Sequence, residues 1–422
     1  MRNRLCFRSA LLLGALNVAF GSAQSLSGSA ALSRALEQGD LPAVRAAVTE
    51  ARSALGDKAG VPEVADTYLP VPKDKTPLTA DEARRGFAPM AVRLKKERWW
   101  MVGTDPSRLT APLRMPASVM AGYVATDRAT FDGVEGNLDR AKEVAEFLMW
   151  AQQQAGSGGY PFPVARGTSK AKAMEVASRF LAQAEKAGKL DQVVRNGWMY
   201  DDLGDGGLQF DNGECGVAMF ELYEVTKDPR HLASARRASE WALARPLCPN
   251  WNYNSFSVYL LAKAFAITGE ARYLESALHK ARLGVVPGQL AEGPRAGRWV
   301  DPHNARPAYH YIMMRALAQL VAVMPQEHPH RIEILNALKL GLTARNEEIV
   351  RRGVMNRDKA MEALLLVSRT FEKDEIFLRE TYTQGALHAL GLLVSEEFRR
   401  GKLPLGPGEW GLFLESIVRD KR

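Results

Sequence analysis

Cysteine is scarce: the 422-residue chain carries three, Cys6, Cys215 and Cys248, which leaves no room for a framework of several disulfides. Zinc spacing of the His-Glu-x-x-His type is missing, and so are the Gly-x-Ser-x-Gly elbow and the glycine-rich phosphate loop. Runs of Val and Ile of strand length are few, which argues against a parallel sheet of the α/β kind. There is no dense Lys/Arg tract, and the formal net charge is a mild +8. Beyond the N-terminus no segment is long and uncharged enough to cross a bilayer.

What is present begins with an export signal. Arg2, Arg4 and Arg8 make a basic start, residues 9–21 are apolar, and Ser22-Ala23-Gln24 follows. This order reads as a secretory signal peptide over residues 1–23, with Gly21 and Ala23 suited to the positions three and one before the cut. The apolar run is shorter than the ~20 residues a spanning helix needs, so no membrane span is expected after cleavage. Cys6 does not sit at the cleavage site, which argues against a lipoprotein. A secreted or periplasmic protein is the expectation. Loss of the three arginines lowers the net charge to +5, an excess that suits an acidic ligand such as a uronate polymer. Export also argues against nucleic acid as a partner. Cys215 and Cys248 would then meet an oxidising compartment. They form either one disulfide, worth ~3–4 kcal/mol on loop entropy, or two buried thiols.

Residues 24–78 read as a short helical segment, with helices near 31–36 and 41–48 and a linker marked by Pro70, Pro72 and Pro77. From residue 79 to 422 helical periodicity dominates. Within it, Tyr223-Glu224-Val225-Thr226-Lys227-Asp228-Pro229-Arg230-His231-Leu232 matches Phe265-Ala266-Ile267-Thr268-Gly269-Glu270-Ala271-Arg272-Tyr273-Leu274 at a constant offset of 42 residues. Each copy reads as a helix, a turn with Thr at its start, and a second helix. Repeats of this size signal stacked helical hairpins, because one hairpin alone cannot bury its apolar stripe. Helices at 307–324, 359–370 and 384–398 are apolar almost all round, whereas those at 138–153, 229–244, 270–283 and 331–351 are striped. Buried helices alternating with half-exposed ones are what an inner and an outer ring require. The expected fold is all-α, an (α/α) toroid of helical hairpins, with an open superhelical solenoid as its competitor.

In a closed ring the segments leading into the inner helices meet at one rim. Four glycines suggest that residues 200–214 form a loop, carrying Asp211, Asn212 and Glu214 toward a helix at Val217. One repeat later stand Trp251, Asn252, Tyr253 and Asn254, and then Trp299, Asp301, His303 and Arg306, followed by Tyr309 and His310. Asn and Asp commonly cap helix starts. Capping does not explain the aromatic residues, whereas a sugar cleft uses aromatic faces beside carboxylates and amides. Asp211, Glu214 and Asp301 are the candidate acids, and His303 and Tyr309 the candidate bases. Asn212, Trp251, Asn252, Tyr253, Asn254, Trp299, Arg306 and His310 are candidates for contacting a polysaccharide or oligosaccharide. No cofactor is required by the sequence; the acidic glycine-containing loop leaves Ca2+ possible, although EF-hand spacing is absent.

Asp211-Asn212-Gly213, the following apolar helix, Thr226-Lys227-Asp228 and Arg230-His231-Leu232 resemble the second hairpin of family 10 pectate lyases. Gly158-Gly159-Tyr160-Pro161, after Trp150-Ala151-Gln152, resembles their Gly-Gly-Trp-Pro turn. The likeness covers residues 138–285 and departs at Cys248-Pro249-Asn250-Trp251, where a second such turn would stand. It implies an α/α toroid and a carbohydrate-active enzyme, either a polysaccharide lyase or a glycoside hydrolase. The other expectation is a helical scaffold that binds a glycan or an envelope partner without catalysis.

Overall fold

The turn written twice in the sequence closes two hairpins with the same bonds. Thr226 Oγ1 donates to the Leu222 carbonyl at 2.9 Å and accepts from the Asp228 amide at 3.3 Å. Thr268 does likewise with Ala264 at 2.8 Å and Glu270 at 3.3 Å. Lys227 and Gly269 beside them adopt left-handed conformations, φ 55° and 70°, which end the helices. Arg230 then pairs with Glu146, and Arg272 with Glu240 on the second helix of the first copy.

The computed structural model describes residues 30–86, 112–129, 136–163, 178, 181–186, 188, 190–191, 199–200 and 206–419. The expected leader lies outside them. The helices in chain order are α1 (Ala30–Gln38), α2 (Leu41–Leu55), α3 (Arg114–Arg128), α4 (Asn137–Ala155), α5 (Leu208–Thr226), α6 (Pro229–Ala244) and α7 (Trp251–Thr268). They continue as α8 (Ala271–Gly284), α9 (Pro307–Val323), α10 (Arg331–Arg352), α11 (Arg357–Thr370), α12 (Glu375–Glu380), α13 (Thr383–Arg399) and α14 (Pro407–Arg419). Among the described residues the extended structure is a two-residue antiparallel pair, β1 (Phe162–Pro163) with β2 (Met199–Tyr200), and two isolated bridges, Leu69 with Val354 and Gln289 with Trp299. None of the described helices is long and apolar enough to cross a membrane.

α3, α5, α7, α9, α11 and α14 pack in that order, and α14 packs back on α3. The ring closes, so the architecture is the (α/α) toroid and not the open solenoid. α4, α6, α8, α10 and α13 lie outside, each against an inner helix. The order explains the composition: α9 is buried along most of its length, whereas α8 buries one face. Residues 384–398, apolar enough to be expected inside, belong to the outer α13. The inner place falls to α14, whose Trp410 is fully buried and donates Nε1–H to the Gly86 carbonyl at 3.1 Å.

The start of α5 is a second correction. The helix begins at Leu208, so Asp211, Asn212, Glu214 and Cys215 lie within its first turns and not in a loop before Val217. Its glycines serve close packing rather than a turn. A Cβ on Gly213 would lie 2.8 Å from Phe256 Cβ, and one on Gly216 would lie 2.7 Å from Leu260 Cδ1. Their absence lets α5 and α7 approach, at a cost in helix propensity.

The N-terminal segment is docked on the toroid. α2 packs against α8, residues 60–63 run along the segment that leads into α9, and Leu69 lies beside the segment that leads into α11. Gly60 donates its amide to the Val300 carbonyl at 2.9 Å and Glu63 to Pro302 at 3.1 Å, and Leu69 and Val354 exchange a pair of backbone bonds.

Candidate functional site

Successive inner helices are separated by antiparallel outer ones, so all six begin at the same rim. There Arg114, at the start of α3, grips Asp211 of α5: Nη1 donates to Oδ1 and Oδ2 at 3.0 and 3.1 Å, and the Arg114 amide donates to Oδ1 at 3.1 Å. The guanidinium also lies 4.2 Å above the Phe210 ring, which stacks on Phe256.

Deeper in the ring lies a chain of charges. Arg315 of α9 donates to Glu214 at 2.9 Å and also to Glu362 of α11, while its guanidinium lies 4.2 Å from the Tyr259 ring centre. Lys359 approaches Glu214 at 3.6 Å, Glu362 at 2.9 Å and Glu409 of α14 at 3.1 Å. Burial pushes the Glu214 carboxyl up, but Arg315, Lys359 and Arg114 outweigh it and hold its pKa down at about 2. Burial acts to lower the Lys359 pKa; Glu214, Glu362 and Glu409 overcome that and raise it. Glu214 is therefore a fixed anion and not a proton donor at neutral pH.

The third part of the rim is the segment before α9. His303 stacks on Tyr309 with ring centres 4.6 Å apart and planes inclined by 29°. Arg306 lies 5.6 Å from the Tyr309 ring and pairs with Glu63, whose other oxygen is 3.7 Å from His303 Nδ1. Burial lowers the His303 pKa against the pull of Asp301. The Tyr309 pKa is raised, again chiefly by burial, with Arg306 and Arg114 opposing. Tyr309 Oη is buried without a hydrogen-bond partner among the described residues. A neutral imidazole and a protonated phenol thus stand face to face.

Several residues expected at the mouth lie beneath it. Asn212 donates to the Ala238 carbonyl at 3.0 Å and accepts from the Tyr160 amide at 3.3 Å, which ties the Gly158-Gly159-Tyr160-Pro161 turn to the hairpin. Asn254, its repeat equivalent, donates to Cys248 and Gly284 carbonyls at 2.8 Å and accepts from the Cys248 amide at 3.0 Å. Both amides are therefore spent on staples. Asp301, 2 % exposed, accepts from the Asn304 amide and side chain. Asn304 in turn accepts from Asn252 N and Nδ2 at 3.0 and 2.8 Å, so this chain of bonds locks the α9 approach to the start of α7. Burial raises the Asp301 pKa.

Trp251 and Trp299 are fully buried; Trp251 packs under Gly288, and Trp299 donates to the Val285 carbonyl at 3.0 Å. His310 is fully buried with Nε2 2.9 Å from the Gly341 carbonyl, and burial holds its pKa well below the usual value. Tyr253 alone of the α7 candidates keeps a partly exposed side chain. These placements follow from the helix starts: residues at 251, 252 and 254 sit in the first turn of an inner helix and face its neighbours. Cys215 and Cys248 are both buried and no disulfide joins them. Cys215 lies two turns inside α5, whereas Cys248 Sγ sits in the loop before α7 and approaches Asn254 Oδ1 at 3.4 Å.

Asp211, His303, Arg306 and Tyr309 lie at the rim-side approaches of α5 and α9, with Asp211 and Tyr309 themselves buried and Glu214 one turn deeper, and the others are taken up in the walls. Arg114, Arg315, Lys359, Glu362, Glu409 and Glu63 were not singled out from sequence. A signal existed for Arg315 and Glu362, each a charge inside an otherwise apolar helical run. Among the described residues no cluster of three or more His, Cys, Asp or Glu side chains could hold a metal; Asp201, Asp202 and Asp205 of the acidic stretch lie outside them.

No family model matches the sequence, and no curated protein sequence matches it. Solved structures do. A polysaccharide lyase superposes with a TM-score of 0.50 at 13 % identity, covering 81 % of this chain and 97 % of that one. A family 88 glycosyl hydrolase from Bacteroides vulgatus gives 0.46 at 10 % identity, covering 81 % and 99 %. A family 76 α-1,6-mannanase from Salegentibacter sp. gives 0.30 at 12 % identity, covering 74 % and 98 %. At such identities what the chain shares with the lyase is its fold, the α/α toroid.

Proposed function

We propose that the chain is an exported carbohydrate-active enzyme that cleaves a uronate-containing polysaccharide by β-elimination, with His303 and Tyr309 as its proton-transfer pair. The observation that carries this reading is their stacking at 4.6 Å with oppositely displaced acidities. Two groups whose environments separate their pKa values divide naturally into base and acid. Neutral His303 takes the proton α to the uronate carboxyl. The freed electron pair forms a carbon–carbon double bond and expels the β glycosidic oxygen, which takes the Tyr309 proton once Tyr309 Oη, buried in the resting protein, is uncovered by the entering sugar. Exchange with solvent then resets both groups.

The motif likeness to family 10 pectate lyases and the mild basic charge favour the same class, and the toroid admits this chemistry without choosing it. Hydrolysis has less support. It needs one protonated carboxyl facing the glycosidic oxygen. Glu214 is held ionised, both Asp211 oxygens engage Arg114, and Asp301 is enclosed by Asn304.

Incubation with a panel of uronate polymers tests the proposal. Ultraviolet absorbance of an unsaturated sugar should appear, and should vanish in His303→Gln and Tyr309→Phe. New reducing ends without that absorbance would mean hydrolysis. Neither signal across a broad glycan panel would leave the binding scaffold as the reading.

A further inference from the structure

Each cation described at the rim already has a carboxylate. Asp211 occupies Arg114, Glu214 and Glu362 occupy Arg315, and Lys359 is shared among three glutamates. A uronate carboxylate that pairs with one of these cations therefore displaces one of the protein's own. Most of these acids sit on inner helices and support the ring: the Asp211 side chain is fully buried, and those of Glu214, Glu362 and Glu409 are 16 %, 14 % and 10 % exposed. Removing any of them would leave a buried or half-buried cation short of a counter-charge.

Glu63 is different. It comes from the N-terminal segment, 243 residues away from Arg306 in sequence, and 27 % of its side chain is exposed. Its backbone is pinned by the bonds of Gly60 to Val300 and of Glu63 to Pro302, so the side chain alone can rotate away. That is a fast local motion which leaves the segment in place. Its carboxylate meets the Arg306 guanidinium and approaches the edge of His303, beside the proposed reacting pair.

We propose that Arg306 forms a carboxylate subsite that Glu63 fills at rest and that an acidic sugar takes over on binding. The inference rests on the elimination reading for what lies next to the subsite, but not for its chemistry. A guanidinium matches a carboxylate in shape as well as charge. The resting contact makes entry selective: a neutral sugar offers nothing to replace Glu63, whereas a uronate exchanges one carboxylate for another.

The test compares wild-type protein with Glu63→Gln and Arg306→Gln, using a galacturonate trisaccharide and its methyl ester as probes in calorimetric titration. Glu63→Gln keeps the shape and removes the competing charge. It should bind the acid roughly threefold to tenfold tighter and leave ester affinity unchanged. Arg306→Gln should bind acid and ester alike. Equal or weaker acid binding in Glu63→Gln, or no acid binding by either protein, overturns the subsite. If unsaturated product still forms in that case, the elimination reading survives. A clear Glu63→Gln effect without product would sustain the subsite and end that reading instead.

Discussion

Arg315 of α9 donates to Glu214 of α5 across the interior of the ring, Nη2 to Oε1 at 2.9 Å, with 1 % of the arginine side chain exposed. The same guanidinium reaches Glu362 of α11, so one cation ties three inner helices. A buried pair of this kind owes little to Coulomb attraction once desolvation is counted, yet breaking it leaves charges stranded. Arg315→Met should lower the unfolding free energy by about 3–5 kcal/mol in chemical denaturation. A loss below about 1 kcal/mol would show that water reaches the network and that it does not hold the ring together.

Acid should weaken the same network. Glu214 has its native pKa depressed from the usual 4.5 to about 2, so its stabilisation is complete above pH 4.5 and disappears as pH falls toward about 2. Melting temperature should fall across that window, and Glu214→Gln should flatten the fall there. A variant whose melting temperature drops as steeply as wild type between those limits would assign the acid sensitivity elsewhere.

Catalysis should follow His303 on its acid side. Because burial lowers its pKa from 6.5, the imidazole is neutral at pH 7, and kcat/KM should fall only below pH 6.5. His303→Gln should lose roughly 10²–10⁴-fold in rate with little change in melting temperature. An acid limb that persists unchanged in a still-active His303→Gln enzyme would remove His303 from the proton transfer.

The α5–α7 contact makes a mutational prediction of its own. Gly213→Ala would place a methyl 2.8 Å from Phe256 Cβ and 2.9 Å from its carbonyl oxygen. Helix propensity alone favours alanine by about 1 kcal/mol, but backbone overpacking costs about 1–3 kcal/mol and should dominate. Denaturation of the variant should show net destabilisation; a gain in stability would mean that the helices can part without loss.

Cys215 and Cys248 are both thiols. Protein lacking residues 1–23, alkylated in denaturant without reductant, should therefore gain two labels by mass spectrometry. No label, with two after reduction, would show that they pair.

Much of this fold was legible because it is local. Thr226 and Thr268 are matched in sequence and make matched bonds, and the boundaries of α6 and α10 follow their apolar stripes and turn residues closely. The start of α5 was not legible, since Gly213 sat in a glycine-containing stretch read as a loop, and its packing role shows only once the side of α7 is known to lie against it. The site was legible in part. His303, Arg306 and Tyr309 lie together before and at the start of α9, but Trp251, Trp299, Asn212 and Asn254 are buried, and they looked like sugar contacts only because their aromatic and amide chemistry serves a cleft and a core equally well.

From its own order of residues this chain determined most of the helices and the repeated hairpin turn, but not which apolar helix at its C-terminal end lies inside. These depend on contacts a few residues apart, where spacing is geometry. The tertiary structure decided which charges become partners. Arg315 finds Glu214 at a separation of 101 residues, and Arg306 finds Glu63 at 243. Such pairings arise only once the ring has closed and burial has made an unpaired charge too costly to leave, and no spacing along the chain encodes them.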